Sequence, residues 1–428
     1  MGVAIDTRYE AGKNRSPRFS LINLGCRVNR VECDLMAREL EDAGFTIGPQ
    51  TLADVVIVNT CAVTGEAEAK TRKAIRRAAR MPQHPLVIAT GCAASLFADS
   101  LAGLAPNVHI VASKDEVARS AMAALGGPCA GASLPSRSAP TPTGRTRPGI
   151  KVQDGCDLRC SYCIVWRARG ASASVPLEQV VAQVEGAVAD NAREVVLTGI
   201  NLGCYEHEGR RLPDLLEALL ERTCVGRLRL SSIEPQDVDG RLVELMAASR
   251  GRIAPYLHVC LQSGSDSVLR RMARVYTSDE FASRIEHAYA AIDHLAVETD
   301  LIVAFPGETD AEFEESRAFC ERMRFSHIHT FRYSKRPGTR AAEMPGQIPP
   351  AISAERSGII RLLSDRMRRD RARSLVGARD LVVTQAAGKG VTGGLFACTL
   401  DRPVESGVLV PVRIARAAED ATLGAVVL

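Results

Sequence analysis

Long apolar runs are missing from this chain of 428 residues, and with them any helix able to span a bilayer. The opening stretch, MGVAIDTRYEAGKNRSPRF, has no apolar signal core, so a cytoplasmic protein without membrane contact is expected. Lysine is scarce, 7 residues against 47 arginines. So lopsided a ratio can reflect genome composition, and it weakens any argument from arginine runs alone. The net charge is only +4, which permits a nucleic-acid partner without demanding one. Aromatic residues make up 4% of the chain, and beyond residue 376 Phe396 is alone. No Ser-His-Asp or paired-carboxylate constellation is evident in the motifs, so catalytic side chains remain unassigned.

Cysteine, by contrast, is plentiful. There are 13, an odd number, so at least one stays unpaired. In a cytoplasmic chain they are not a disulfide framework. Some must therefore be core residues, metal ligands or nucleophiles.

The length exceeds one compact core and implies two or three domains. Three β-rich runs open the chain, FSLINLGC, VVIVNTC and LVIATGC, and each ends at a cysteine. Helical spacing follows in RVNRVECDLMARELEDAGF, with Gly44 as its stop, and in GEAEAKTRKAIRRAARM. The pattern predicts a parallel α/β domain over residues 1–125. Residues 126–148 have linker composition, rich in Gly, Pro, Ser and Thr. Six further strands alternate with helices over residues 149–375: GIKVQ, EVVLTGI, RLRLSSIE, LHVCLQS, ETDLIVAF and HIHTFRYS. They predict a partial or complete parallel barrel, with a doubly wound sheet as the alternative. A charged helix near residues 353–375 leads to a tail, 376–428, patterned as a small β-barrel.

Within QDGCDLRCSYC, residues 153–163, the thiols of Cys156, Cys160 and Cys163 crowd a loop that leaves the first of these six strands. Three thiolates can each hold one iron of a cubane cluster and leave the fourth iron open to a small chelating molecule. Structural zinc, the bland reading, wants four protein ligands, and no second knuckle accompanies the loop. Cys26, Cys61 and Cys92 each end a strand, so a parallel sheet would bring all three to one carboxyl edge. A lone cysteine at a strand end is usually a small buried apolar residue, but three in equivalent places favour ligation.

The CxxxCxxC spacing, with Tyr162 before its last cysteine, resembles the radical S-adenosylmethionine superfamily. Added to the N-terminal trio, it resembles the methylthiotransferases over nearly the whole chain. LGCRVNRVE, NTCAVTGEAEAKTR and TGCAA match their N-terminal half. QDGCDLRCSYCIV, ARG, EVVLTGINLG, LRLSSIEP, LHVCLQSGSDSVLRRMARVYT, TDLIVAFPGET and YSKRPGT match their barrel, and the tail resembles their RNA-binding TRAM domain. The resemblance implies two [4Fe–4S] clusters. One, on Cys156, Cys160 and Cys163, would cleave S-adenosylmethionine to a 5′-deoxyadenosyl radical; the auxiliary one, on Cys26, Cys61 and Cys92, would supply or carry sulfur. LTGINLG, LSSIEP and YSKRPGT look most like the group acting on threonylcarbamoyladenosine beside the tRNA anticodon. The sister groups act on isopentenyladenosine in tRNA or on a ribosomal-protein aspartate.

Thr198, Gly199 and Asn201 end the second barrel strand, where the superfamily holds the cofactor's amino group; Ser232, Glu234, Gln262 and Ser263 end the next two and could meet its ribose and carboxylate. Tyr162 joins this cofactor-binding set. Each of these residues could instead simply cap a strand or turn. Two departures fall near the loop: Ser174-Val175 occupies the place of a Ser-Arg pair, and Trp166 that of a proline. The arginine-dense helices TRKAIRRAAR and RLLSDRMRRDRAR could meet phosphate, although solvated faces are the commoner explanation. Cys33, Cys129, Cys204, Cys224, Cys260, Cys320 and Cys398 read as bystanders. The expected partners are a tRNA anticodon stem-loop, a low-potential electron donor and a sulfur source, and a monomer is expected. A different class, a non-catalytic iron–sulfur or zinc RNA-binding protein, remains the competing hypothesis.

Overall fold

The computed structural model describes residues 15–125 and 145–428; most of the expected linker, and Cys129, lie outside the described residues. These fall into two compact units: residues up to 125 together with Ile164–Gly170, and residues from 145 to Cys163 together with Ala171–Leu428. No helix among them is long and apolar enough to cross a membrane.

The first unit is built on a five-stranded sheet in the order Thr46–Ile47, Arg18–Asn23, Val55–Thr60, Leu86–Gly91, Val108–Ile110, with every neighbouring pair parallel. Val55 and Ile57 pack with Phe19, Met36, Leu40 and Val117, while Val56 and Val58 pack with Ile75, Ala78 and Leu101. A strand covered on both faces has no polar side to present, which is why VVIVNT does not alternate. The helix Arg27–Asp42 ends where Gly44 takes a φ of +85°, a left-handed turn that glycine adopts without a Cβ clash. Thr64 caps the helix Gly65–Ala79 by accepting from the Ala67 N–H. Both helices match the sequence expectation.

In the second unit, six parallel strands follow one another in chain order, each paired with the next: Gly149–Lys151, Glu194–Thr198, Arg227–Leu230 continuing as Ser232–Ile233, Tyr256–Val259, Ala296–Val303 and His327–Arg332. The first and last do not pair with each other, so the barrel is partial. Sequential order rules out the doubly wound alternative, which needs a reversal of strand order. Helices including Leu177–Ala189 and Leu212–Arg222 bury Val180, Val184, Leu215 and Leu219 against the strands.

The helix Pro350–Ser374 leads to the tail, where Arg379–Ala386, Lys389–Val391, Ala397–Leu400, Leu409–Ala417 and Leu423–Val427 close into a five-stranded barrel. Phe396, the tail's one aromatic, is fully buried in the barrel core, with the Arg368 guanidinium 4.6 Å over its ring. A side chain without accessible surface cannot stack on a base.

Buried charge fastens the tail barrel to the parallel barrel. Arg227 and Arg229, neighbours on one strand face, both hold Glu194 on the adjacent strand. Other donors of the pair reach tail carbonyls: Arg227 Nη1 to Leu381 at 2.6 Å and Arg229 Nη1 to Gly393 at 2.6 Å. Burial alone would push the Glu194 carboxyl up, but Arg229 and Arg227 outweigh it and hold the group down at about 2. A carboxylate that is a weaker base when folded leaves the unfolded chain binding more protons at low pH. Its stabilisation is therefore complete above the unfolded value of about 4.3 and is lost as pH falls toward 2. Glu194→Gln strands two buried guanidinium groups and is expected to cost about 3–5 kcal/mol at neutral pH. Its stability should also vary less between pH 5 and 3 than the wild type's, as read by chemical denaturation.

Candidate active site

The trio of the first unit sits where three adjacent parallel strands end. Cys26 follows Arg18–Asn23, Cys61 follows Val55–Thr60, and Cys92 follows Leu86–Gly91. One of the gaps between these strands is the switch point of the sheet, where chain order reverses and crevices form. Asparagine and threonine side chains lock the strand ends together. Asn29 Nδ2 donates to Asn59 Oδ1 at 2.8 Å and to the Thr60 carbonyl at 3.0 Å, and Asn59 Nδ2 returns a bond to the Asn29 carbonyl at 2.9 Å. Thr60 Oγ1 donates to the Thr90 carbonyl at 2.7 Å and accepts from the N–H groups of Ala93 and Ala94. The glycines before two of the cysteines are required by this crowding. A Cβ on Gly91, whose φ is +89°, would stand 2.4 Å from Asn59 Oδ1, and one on Gly25 would stand 2.3 Å from Asn29 Cγ.

The three thiols sense one another. Burial pushes the Cys61 thiol up, and the neighbouring Cys92 and Cys26 add to it. Burial also raises Cys92, against the pull of Arg169 and Lys114. Crowded thiols of raised pKa, with cations at hand, are a donor set that a metal would deprotonate and bind.

In the second unit the cysteine loop is pinched at its base by an antiparallel pair, Gln153–Asp154 against Ala173–Ser174. Buried Gln153 organises it: Nε2 donates to the carbonyls of Asp154 and Gly155 and to Ser172 Oγ, and Oε1 accepts from the Asn201 N–H at 2.8 Å. Within the loop the Cys163 N–H donates to the Cys160 carbonyl at 3.1 Å. Burial raises the Cys156 thiol, and Cys160 and Glu234 contribute in the same direction. Tyr162 is likewise pushed up by burial, within the field of Arg274, Cys160 and Cys163.

The cofactor candidates divide by what already occupies them. Thr198 Oγ1 and Asn201 Oδ1 are buried, with no hydrogen-bond partner among the described residues. Gly199 is explained by packing, since a Cβ there would meet Gln153 Oε1 at 2.8 Å. Ser232 Oγ pairs with His258 Nδ1 at 3.3 Å, and Ser263 Oγ with Ser316 Oγ at 3.0 Å. Gln262 adopts a φ of +66°, a strained conformation held by backbone bonds to Asp300 and Ile302. Glu234, raised by burial, is gripped by Arg274.

Arg274 was not singled out from the sequence. Its Nη1 lies 3.1 Å from Cys160 Sγ, its Nη2 pairs with Glu234, and its Nε donates to Tyr276 Oη at 3.1 Å. The His258–Cys260–Asp300 group was missed too: His258 Nε2 lies 3.0 Å from Asp300 Oδ1, and the three ligand-type atoms fall within 4.8 Å of one another. Cys204, read as a bystander, is exposed at its surface yet lies within the field of Asp237 and Cys156, and partial desolvation together with these charges raises its thiol. All of these lie in or beside motif stretches, but spacing carries no sign of which side chains meet.

A family model described as the radical SAM superfamily matches residues 150–320, and one described as uncharacterized protein family UPF0004 matches 18–113. Threonylcarbamoyladenosine tRNA methylthiotransferase MtaB from Thermotoga maritima is 36% identical over 79% of this chain and 79% of its own. A protein of the same name from Chlamydia pneumoniae is 33% identical over 96% and 98%. The chain belongs to the radical S-adenosylmethionine methylthiotransferases. Relatives with other names align as well: a tRNA-2-methylthio-N(6)-dimethylallyladenosine synthase from Parafrankia sp. (35%; 87% of this chain, 78% of that one) and a ribosomal protein uS12 methylthiotransferase RimO from Desulforudis audaxviator (34%; 80% of each). Among solved structures, the radical S-adenosylmethionine methyltransferase TsrM from Kitasatospora setae shares the fold, with a TM-score of 0.56 at 16% identity over 86% of this chain and 78% of that one.

Membership brings a [4Fe–4S] cluster and S-adenosylmethionine as cofactors of this methylthiotransferase. The residues present fit them. The loop offers three sulfurs beside a buried cation, and Thr198 Oγ1 and Asn201 Oδ1 offer unmet hydrogen-bonding capacity for an amine- and hydroxyl-bearing ligand.

In iron-free protein, brief iodoacetamide treatment should label the exposed Cys26 and Cys224. It should spare Cys33 and Cys320, whose thiols burial pushes up to about 11 and about 12. Loading with iron and sulfide should protect Cys26 and leave Cys224 reactive, read by peptide mass spectrometry. Equal labelling of Cys26 before and after loading would remove it from the ligand set.

Proposed function

We propose that the chain inserts a methylthio group at C2 of N6-threonylcarbamoyladenosine beside the anticodon of tRNA. The observation that carries this reading is the convergence of Cys26, Cys61 and Cys92 at one sheet edge, in addition to the superfamily's own cysteine loop. On this reading Cys156, Cys160 and Cys163 hold the radical-generating cluster, and Cys26, Cys61 and Cys92 hold an auxiliary one. When bound, the clusters and S-adenosylmethionine supply one-electron chemistry, which an aromatic C2–H requires because it offers neither an acidic proton nor a leaving group.

The chain's own side chains then orient and shield. Arg274 places its guanidinium between Cys160 and Glu234, so it balances negative charge at the loop. Thr198 and Asn201 receive the cofactor's polar groups, with Gly199 giving Gln153 room to hold the loop. Glu234, Gln262 and Tyr162 border the same region, while Ser232 and Ser263 act through His258 and Ser316. Residues 1–125 form the auxiliary-cluster domain, 149–375 the radical domain and 376–428 the TRAM-like domain.

The threonylcarbamoyl substrate is supported by the names of the relatives with 36% and 33% identity. An anionic partner is supported by the tail barrel. Arg379 and Arg413 are register partners there, both exposed, and like charges on one rung repel unless an anion intervenes. Of the two arginine-dense helices, Gly65–Ala79 exposes Lys73, Arg76 and Arg77. The longer Pro350–Ser374 commits Arg366 to Glu321 and Arg371 to the Leu295 carbonyl, so it is the weaker RNA candidate. A low-potential electron donor, a sulfur source, a cytoplasmic location and a monomeric state complete the reading.

Protein purified without oxygen should hold about eight irons per chain, two cubanes' worth. Zinc without charge-transfer absorbance would favour the non-catalytic RNA-binding alternative. Nucleosides of tRNA from cells lacking the gene should lose methylthiolated threonylcarbamoyladenosine, read by mass spectrometry. If that nucleoside persists and the isopentenyl one disappears, the substrate is the sister nucleoside. Cys92→Ala should abolish methylthiolation while leaving cleavage of S-adenosylmethionine in place.

A further inference from the structure

Arg169 follows Cys163 by six residues, yet it belongs to the compact unit that carries the other three cysteines. It ends the short helix Val165–Arg169, anchored there by Ile164 in the hydrophobic core of that unit. Only 3% of its side chain is exposed, and a guanidinium so buried persists only if its charge and donors are matched. Nη1 donates to Glu32 Oε1 at 2.9 Å; Nη2 donates to Glu32 Oε2 at 3.2 Å and to Asn29 Oδ1 at 3.0 Å. Asn29 and Glu32 lie three residues apart on the helix Arg27–Asp42, hence on one face. Asn29 Oδ1 also accepts from Cys26 Sγ at 3.2 Å. Beyond this clamp Arg169 hydrogen-bonds Cys92, and its charge reaches Cys61. Lys114 Nζ lies 2.8 Å from the same Glu32 carboxylate, so one carboxylate faces two cations. A planar fork can hold a carboxylate and a sulfur at once, which an ammonium cannot do with the same geometry.

We propose that Arg169 is a positioning residue for the cysteine trio: clamped by Glu32 and Asn29, it fixes a positive charge against the Cys92 sulfur and makes a cluster held there easier to reduce. The proposal rests on reading Cys26, Cys61 and Cys92 as ligands of a second cluster. A cubane with three thiolates is anionic and gains one more negative charge on reduction, so a fixed cation stabilises the reduced form more. A hydrogen bond to a ligand sulfur shifts the potential in the same direction.

The test uses the full chain carrying Cys156→Ala, Cys160→Ala and Cys163→Ala, reconstituted with iron and sulfide without oxygen. Iron content, circular dichroism and a spectroelectrochemical titration are read. The background should hold about four irons. Arg169→Met should keep them but shift the reduction equilibrium about tenfold toward the oxidised form, a potential lower by about 59 mV for a one-electron couple. Arg169→Lys should recover most of that shift. Glu32→Gln removes the opposing charge and should move the potential upward, an opposite sign that loosened packing would not produce. Glu32→Gln decides alone if Arg169→Met does not fold: a raised potential supports the proposal, and an unmoved or lowered one overturns it. A background without iron overturns the second-cluster reading and this proposal with it. A background with four irons whose potential Arg169→Met leaves unmoved overturns the role of Arg169 alone.

Discussion

A strand in a parallel sheet must hand its exit loop to the same edge as its neighbours, and both sheets of this protein use that directional constraint. In the first unit it collects Cys26, Cys61 and Cys92 at the ends of three adjacent strands, although 35 and 31 residues separate them in the chain. In the second it places the cysteine loop, Thr198 and Glu234 at the exits of successive strands. Crossover helices enforce the direction, and the apolar faces they bury stabilise it: Ile75 and Ala78 against Val56 and Val58, Val180 and Leu215 within the larger core. Function-bearing residues thus need no mutual attraction to meet.

Polar groups supply the precision that the hydrophobic effect lacks. Burial of apolar surface is nondirectional and does not by itself fix where loop ends sit. Around the trio, Asn29, Asn59 and Thr60 tie three strand ends through bonds of 2.7–3.1 Å, and Gly25 and Gly91 are needed because nothing larger fits against them. Around the loop, Gln153 does the same from a single fully buried side chain. These bonds hold the strand ends and the loop base rigid, while Thr198 Oγ1 and Asn201 Oδ1 are among the buried atoms without a hydrogen-bond partner among the described residues.

Buried charge recurs with a different purpose in each unit. Glu194 between Arg227 and Arg229 joins the tail barrel to the parallel barrel, and those two arginines also donate to tail carbonyls. Glu32 between Arg169 and Lys114 faces thiols instead. In both cases one carboxylate balances more than one cation, Arg147 joining Arg227 and Arg229 at Glu194. The surplus positive charge meets neutral carbonyl dipoles in the first case and ionisable sulfurs in the second.

Local sequence was sufficient for the elements and for the six cysteines as candidates, because hydrophobic period and the recurrence of Cys after a β-run are read over short windows. Strand runs such as VVIVNT and EVVLTGI, the Gly44 stop and the six-strand rhythm all needed only neighbouring residues. The tertiary structure alone decided what meets across long separations. Arg274 reaches Cys160 from 114 residues away, Arg169 reaches Glu32 from 137, and Phe396 turns inward to a core. A side chain's partner depends on which strands become neighbours and which way each residue points, and neither is encoded in spacing along the chain.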